Sequence, residues 1–381
     1  MKKLALMLPA MRMGGAEKIA LNFIPHLAEH FDLTVVLNKR EGDLLSEIPE
    51  GVRIVEDKLL DFSEIVKSDL KHLRIGKLTK DLLYYLRVKR GKSRERNYRY
   101  LISRTPPLGE EFDIAISYVA NVSTQIFSAI DRTRAKKKIA WIHGETTELR
   151  DTELFRECYA QFDEIYCVSG VTRAHFVSRF SGLESRARVY YNPINCDEIS
   201  ARADEPTDIP FSSEEYNILS VGRITPEKGY DMIPSIARIL LDLGYKVHFY
   251  IIGDGPSRAE VEENISSLGV GVQVTILGTK INPYPYMKAC DVYIQPSYEE
   301  GYSTTICEAG ILGCAIVGTT TSGGIREQVE DGVSALLAEP TPESLADAIE
   351  RLITDADLNK TLRENVKKID FSNGEEIKKL I

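Results

Sequence analysis

Short apolar runs alternate with amphipathic stretches along the whole chain, and this leaves room for little besides an α/β fold with parallel sheets. In the first half the runs predict strands near 3–8, 33–37, 52–55, 112–117, 137–142, 164–168 and 187–190. Helical periodicity falls near 15–29, 121–130, 151–161 and 171–180. Residues 60–104 are polar and basic and read as a helical insertion. Residues 197–215, with Pro206, Pro210 and many acids, read as a surface linker. The alternation then restarts. Strands are expected at Tyr216–Val221 and near 246–252, 272–276, 291–295, 315–317 and 334–337. Helices are expected near 228–243, 257–268, 304–313, 342–354 and 358–368.

At 381 residues the chain exceeds the size at which one core stops growing, about 250–300 residues. Two consecutive doubly wound domains are therefore expected, over 1–195 and 196–365, with 366–381 returning toward the first. One enlarged sheet is the alternative, which the linker disfavours. Met1-Lys2-Lys3 and the apolar run after it imitate a signal peptide, but the run is short and Arg12 interrupts the next stretch. A buried first strand is expected instead. No apolar run reaches the roughly 18 residues of a membrane span.

A net charge of -9 argues against general nucleic-acid binding. The six cysteines form no C-x-x-C pair and no His cluster joins them, which speaks against structural zinc and for a reducing compartment. The expected location is cytoplasmic.

Chemistry gathers in the turns. Glu300-Gly301-Tyr302-Ser303-Thr304-Thr305-Ile306-Cys307-Glu308 comes after a strand and opens a helix. Gly301 permits an unusual backbone angle there, and Ser303 or Thr304 can cap the helix. The unpaired N–H groups of the start can hold a phosphate. Glu300 and Glu308 flank that anion site, with at most about 12 Å between them along a helix. Carboxylates accept hydrogen bonds from paired hydroxyls, so sugar, diphosphate and ribose fit in that order. The same residues also describe a plain helix with an acid near its start and a solvated Glu.

The turn Val221-Gly222-Arg223-Ile224-Thr225-Pro226-Glu227-Lys228-Gly229 offers a guanidinium fork and an ammonium near a helix start. Two surface cations are the bland reading, but Lys228 would sit poorly beside a positive helix end unless an anion binds. Gly14-Gly15 in the first turn of the chain allows close backbone approach to a ligand, or simply a tight turn. It is not G-x-G-x-x-G, so dinucleotide binding is unsupported. His143 lies just past the strand 137–142, at the rim where open-sheet ligands bind; such a His is structural as readily as catalytic. Gly253-Asp254-Gly255-Pro256 occupies another turn of the rim.

Together these landmarks resemble the retaining glycosyltransferases of the two-Rossmann-domain type, family 4. The resemblance runs from Gly14-Gly15-Ala16-Glu17 through Trp141-Ile142-His143-Gly144, Val168-Ser169 and Asn192-Pro193. It continues with Gly222-Arg223, Glu227-Lys228-Gly229 and Gly253-Asp254-Gly255-Pro256, and ends in Glu300 and Glu308 with seven residues between. It implies the GT-B fold, two Rossmann-like doubly wound domains facing each other across a cleft. The first would bind the acceptor and the second the nucleotide-sugar donor.

It implies catalytic roles for His143 and Glu300, beside the transferred sugar. Arg223 and Lys228 would hold the diphosphate, and Glu308 the ribose. Backbone from Gly301 to Thr304, together with Gly14 and Gly15, would line the donor. Gly253, Gly255, Thr279 and Lys280 would border the base. No metal and no cofactor are implied, since the nucleotide-sugar is a substrate. The implied reaction is retaining transfer of a hexose-type sugar, with a UDP-sugar preferred, to a glycan or polyprenyl-lipid-linked acceptor. Tyr302-Ser303-Thr304-Thr305 departs from the Phe-Gly-Leu-Pro of many relatives, which leaves contacts to the sugar hydroxyls open. A non-catalytic nucleotide-sugar-binding partner and a sugar-nucleotide epimerase on the same fold are the rivals.

One feature stands outside the resemblance. Residues 67–104 hold 13 Lys and Arg against Asp69, Asp81 and Glu95. Leucines and tyrosines interleave with the cations, a pattern that suits an anionic membrane surface. A solvated helical face is the alternative.

Overall fold

The computed structural model describes residues 1–12, 14–60, 62–71, 76, 79, 83, 94–144, 149–208, 211–321, 323–374, 376 and 380. The chain divides into two compact units, one of Met1–Asn192 with Ile377–Ile381 and one of Pro193–Glu376.

The first unit is built on a parallel sheet of seven strands. They are β1 (Lys2–Leu8), β2 (Phe31–Leu37), β3 (Arg53–Glu56), β4 (Glu111–Ser117), β5 (Arg134–Ile142), β6 (Glu164–Cys167) and β7 (Ala187–Val189). Their spatial order is β3-β2-β1-β4-β5-β6-β7. Leu4 to Leu8 are all buried, because a central parallel strand is covered on both faces and needs an uninterrupted apolar run. The signal-like start of the chain is this strand.

The second unit repeats the scheme. Its strands are β8 (Tyr216–Val221), β9 (Val247–Ile252), β10 (Val274–Gly278), β11 (Val292–Gln295), β12 (Ile316–Thr319) and β13 (Leu336–Ala338). Their order is β10-β9-β8-β11-β12-β13. Both sheets are therefore Rossmann-like and doubly wound. In the second, β8 and β11 run side by side where the chain reverses its direction of winding, so the turns after them share one rim.

Three expectations are corrected. The helix expected at 228–243 begins at Ile233, after single turns at Pro226–Lys228 and Tyr230–Met232. Gly229 separates those turns with φ 68° and lies so close to the Pro296 carbonyl that a Cβ would come within 2.1 Å of it. Part of the expected linker is a helix, Cys196–Arg202, whose start is capped by the Asn195 side chain. Short helices at Tyr284–Ala289 and Gly323–Gln328 add to the expected set.

The basic insertion is helical over Phe62–Lys71 and Arg94–Arg104. Most of its apolar residues and cations between those helices lie outside the described residues. Three of its arginines are committed within the first unit: Arg96 to Asp151 at 2.7 Å, Arg99 to Asp131 at 3.0 Å, and Arg104 to Asp69. Lys67, Leu70 and Lys71 are exposed. All six cysteines are free. Among the described residues no helix is long and apolar enough to cross a membrane.

Candidate active site

The turn after β8 is shaped by the turn after β9. Ile224 N–H donates to the Asp254 carbonyl at 3.0 Å, and Ser257 N–H to the Ile224 carbonyl at 3.1 Å. A Cβ at Gly253 would lie 1.8 Å from the Gly222 carbonyl oxygen, and one at Gly255 would lie 2.2 Å from that of Ile224. Both glycines are thus required by backbone packed on backbone. Arg223 projects from this braced turn, exposed, and its guanidinium takes no partner among the described residues. Arg223 and Lys228 do not stand at an α-helix start, as the sequence suggested. They sit on a rigid turn ahead of the helix.

The turn after β11 brings Glu300 to the same place. Lys228 Nζ lies 2.6 Å from Glu300 Oε1, across 72 residues of sequence. The same oxygen accepts from Ser297 Oγ at 2.9 Å and from Gln295 Nε2 at 3.1 Å. Gln295 and Ser297 are buried, and the Glu300 side chain is 7% exposed. A carboxylate is tolerated at that burial because it is paired and hydrogen-bonded.

Ser303 caps the helix Thr304–Ile311. Its backbone is gripped by Gln328, which accepts from the Ser303 N–H at 3.0 Å and donates to the Ser303 carbonyl at 2.7 Å. The Ser303 N–H is therefore spent and cannot meet a phosphate. The N–H groups of Thr304 and Thr305 take no partner among the described residues, so the orphan donors of the helix start remain. Glu300 stands in the turn before the helix rather than on it, and Glu308 lies within it. The hydroxyls that distinguish this stretch from Phe-Gly-Leu-Pro are used in part internally. Thr305 Oγ1 donates to Gln295 at 2.9 Å, and Tyr302 OH accepts from Asn373 at 3.1 Å.

Glu308 is 9% exposed and accepts from Tyr284 OH at 3.3 Å. Burial pushes the Tyr284 phenol far up, and the Glu308 charge adds to it. Lys280 is drawn to Asp208 at 2.6 Å and lies over the Tyr286 ring, while Thr279 is exposed.

In the first unit, Gly14 and Gly15 open the helix Gly15–His30 without a side-chain cap. The Glu17 carboxylate folds back over Gly14, where a Cβ would meet it at 2.3 Å. His143 stands just past β5, its ring centroid 4.5 Å from that of Tyr118 and 5.9 Å from that of Trp141. Burial drives its imidazole down to about 3, partly offset by a hydrogen bond to the Tyr118 backbone. It is neutral at physiological pH. Its Nε2 is buried with no partner among the described residues.

Gln295, Ser297, Gln328 and Tyr284 escaped sequence reasoning. The signal for Gln295 was present: it is the one polar residue of a buried strand, where polar side chains are rare unless paired.

Residues 202–369 match the model of the family described as glycosyl transferases group 1. Over 380 residues the chain is 26% identical to the Campylobacter jejuni N-acetylgalactosamine-N,N'-diacetylbacillosaminyl-diphospho-undecaprenol 4-alpha-N-acetylgalactosaminyltransferase, covering 96% of this chain and 94% of the relative. Over 166 residues it is 29% identical to the lipopolysaccharide core biosynthesis glycosyltransferase LpsE of Rhizobium meliloti, covering 43% of this chain and 45% of that one. Among solved structures it is similar to Anabaena Alr3699/HepE in complex with UDP-glucose. That likeness has a TM-score of 0.72 at 17% identity and covers 100% of this chain and 99% of the other.

Proposed function

We propose that the chain, whose fold is that of GT-B proteins and whose residues 202–369 match the group 1 glycosyl transferases, is a glycosyltransferase that transfers a hexose-type sugar from a UDP-sugar with retention and without a metal ion. The observation that carries this reading is the meeting of Lys228 and Glu300 at 2.6 Å beside the helix-start N–H groups of Thr304 and Thr305. A diphosphate at that helix start would be neutralised by Lys228, by the exposed Arg223 and by the helix dipole. Those groups can carry the leaving charge that a metal ion carries elsewhere. Glu308 is the ribose acid and Glu300 the acid on the sugar side. His143, a neutral imidazole with an open nitrogen, is assigned to the transferred sugar.

In the proposed step the acceptor hydroxyl attacks the anomeric carbon on the face from which the diphosphate departs. The bond from that carbon to the phosphate oxygen breaks, and the departing oxygen takes the acceptor proton. No protein nucleophile is needed, and the pre-set cations stabilise the charge that develops.

For the acceptor we propose a glycan or a lipid-linked glycan. The Campylobacter relative, matched over nearly its whole length, acts on a diphospho-undecaprenol substrate by its name. The exposed Lys67, Leu70 and Lys71 present cations and an apolar side chain together, as an anionic lipid surface would require. The test is a screen of UDP-, GDP-, ADP- and dTDP-sugars for consumption and for a rise in Tm. The reading stands if UDP-sugars are the class consumed; consumption of another class alone overturns the UDP assignment, and the glycosyltransferase reading fails if no nucleoside diphosphate or nucleotide-sugar binds.

A further inference from the structure

Gln295 ends β11 after Val292, Tyr293 and Ile294, and is as buried as they are. A primary amide in such a place costs stability unless its hydrogen-bonding groups are used. All of them are: Nε2 donates to Ser297 Oγ at 2.8 Å and to Glu300 Oε1 at 3.1 Å, while Oε1 accepts from Tyr293 OH at 2.8 Å and Thr305 Oγ1 at 2.9 Å. The direction of the amide is settled by chemistry. An ionised carboxylate only accepts, so the nitrogen must face Glu300. One side chain thereby ties the strand, the turn, the acid and the helix start together.

The consequence lies in how Glu300 spends its two oxygens. Oε1 receives Lys228, Ser297 and Gln295, and Oε2 takes no partner among the described residues. An arriving diphosphate competes for Lys228. If Lys228 were the sole anchor, the carboxylate would turn loose as the donor bound. Gln295 and Ser297 remain, and both are neutral donors that a phosphate does not attract as it attracts an ammonium. We propose that Gln295 is a positioning residue of the transfer reaction, holding Oε1 of Glu300 so that Oε2 stays presented to the sugar after Lys228 has turned to the diphosphate. This rests on Glu300 as the sugar-side acid of the proposed function.

The experiment compares Gln295→Met, Gln295→Glu and Thr305→Val with the unaltered protein, using the nucleotide-sugar that the screen finds consumed fastest. Rates are followed from pH 5 to pH 8, UDP affinity by calorimetry, and folding by Tm. Gln295→Met should lower kcat 30- to 100-fold and leave the UDP Kd within threefold. Thr305→Val, which frees one side of the amide, should lower kcat three- to tenfold with the same Kd. Gln295→Glu should match Gln295→Met at pH 8 and recover at least tenfold toward pH 5. There a proton shared by the two carboxylates restores the lost donor. Gln295→Met has no such proton and should show no recovery.

A packing role alone would lower Tm without separating kcat from UDP affinity and without changing the pH profile; that result overturns the proposal, as does a Gln295→Met kcat within threefold of the unaltered enzyme. An unaltered protein that neither consumes a nucleotide-sugar nor binds UDP overturns the glycosyltransferase reading, and this inference with it. Active protein with indifferent Gln295 and Thr305 variants overturns this inference alone.

Discussion

Removing the Glu300 carboxylate separates what it does for the fold from what it does for a ligand. In Glu300→Ala the buried Gln295 and Ser297 lose their acceptor, while Lys228, a quarter exposed, can turn to water. An orphaned buried donor costs about 1–3 kcal/mol, so two predict a loss of about 2–4 kcal/mol once rearrangement of the hydroxyl is allowed for. Glu300→Gln keeps a carbonyl acceptor in the same shape, and about 1 kcal/mol is expected. Urea unfolding of the three proteins measures both. UDP affinity should move the other way. In the unaltered protein Glu300 shares the charge of Lys228 with any phosphate that binds beside it, so either substitution should bind UDP equally or up to tenfold more tightly, a gain of at most about 1.4 kcal/mol. Turnover should nevertheless collapse, because the sugar loses its acid. A UDP affinity weakened tenfold or more in Glu300→Gln would refute the order sugar, diphosphate, ribose.

Glu308→Ala should weaken UDP binding about tenfold or more, since a hydrogen bond to a charged acceptor is worth about 1.5–3 kcal/mol; an unchanged Kd by calorimetry would remove the ribose assignment. Transfer should persist in excess chelator, and Lys228→Ala should slow it; activity abolished by chelator and restored by one divalent ion would sink the metal-free mechanism. His143 resists protonation down to about 3 when folded, against about 6.5 in an unfolded chain. The unfolded state therefore gains a proton first, and stability present above pH 6.5 is lost as pH falls below it, by up to about 1.4 kcal/mol per unit. His143→Phe should flatten that slope in urea unfolding between pH 7 and pH 5, and parallel slopes would contradict the buried neutral imidazole. Binding to anionic liposomes should rise with anionic lipid, fall with salt and weaken when Arg87, Lys89, Arg90 and Lys92 become Ser; indifference at low salt would leave residues 67–104 a solvated face.

The doubly wound sheets were legible because parallel strands covered on both faces leave runs such as Leu4–Leu8 with no polar interruption. The helix expected from 228 was misplaced for a reason periodicity cannot carry. Tyr230, Met232, Ile233, Ile236, Ala237 and Leu240 are all buried in one core, so the apolar pattern continues unbroken through a backbone that is not α-helical until Ile233. What interrupts it is the approach of Gly229 to Pro296, a contact distant in sequence. The helix Cys196–Arg202 had local signs: Asn195 as a cap, Asp197 and Glu198 in the first turn, Arg202 in the last. The prolines and acids beyond it suggested one uniform linker, and the shorter signal was missed. In the insertion, a count of cations overstated the free charge. Arg96, Arg99 and Arg104 answer carboxylates of the same unit.

The candidate site was legible as separate motifs and illegible as a network. Lys228 and Glu300 were each singled out for charge, yet nothing local joins residues 72 positions apart. The topology joins them. In a doubly wound domain whose first and fourth strands are neighbours, the turns after those strands open at the same end of adjacent parallel strands, here β8 and β11. Charged residues in both turns must then either repel, pair or share a ligand. Here they pair, with Lys228 a quarter exposed and Glu300 nearly buried. The helix start shows the opposite error. Sequence alone makes every N–H from Gly301 to Thr304 a donor for phosphate, but Gln328 takes that of Ser303. The amide that removes this donor also fixes the Ser303 carbonyl, and so the direction in which the helix begins. Donors held in one orientation before a ligand arrives escape the ordering cost that otherwise falls on the binding free energy.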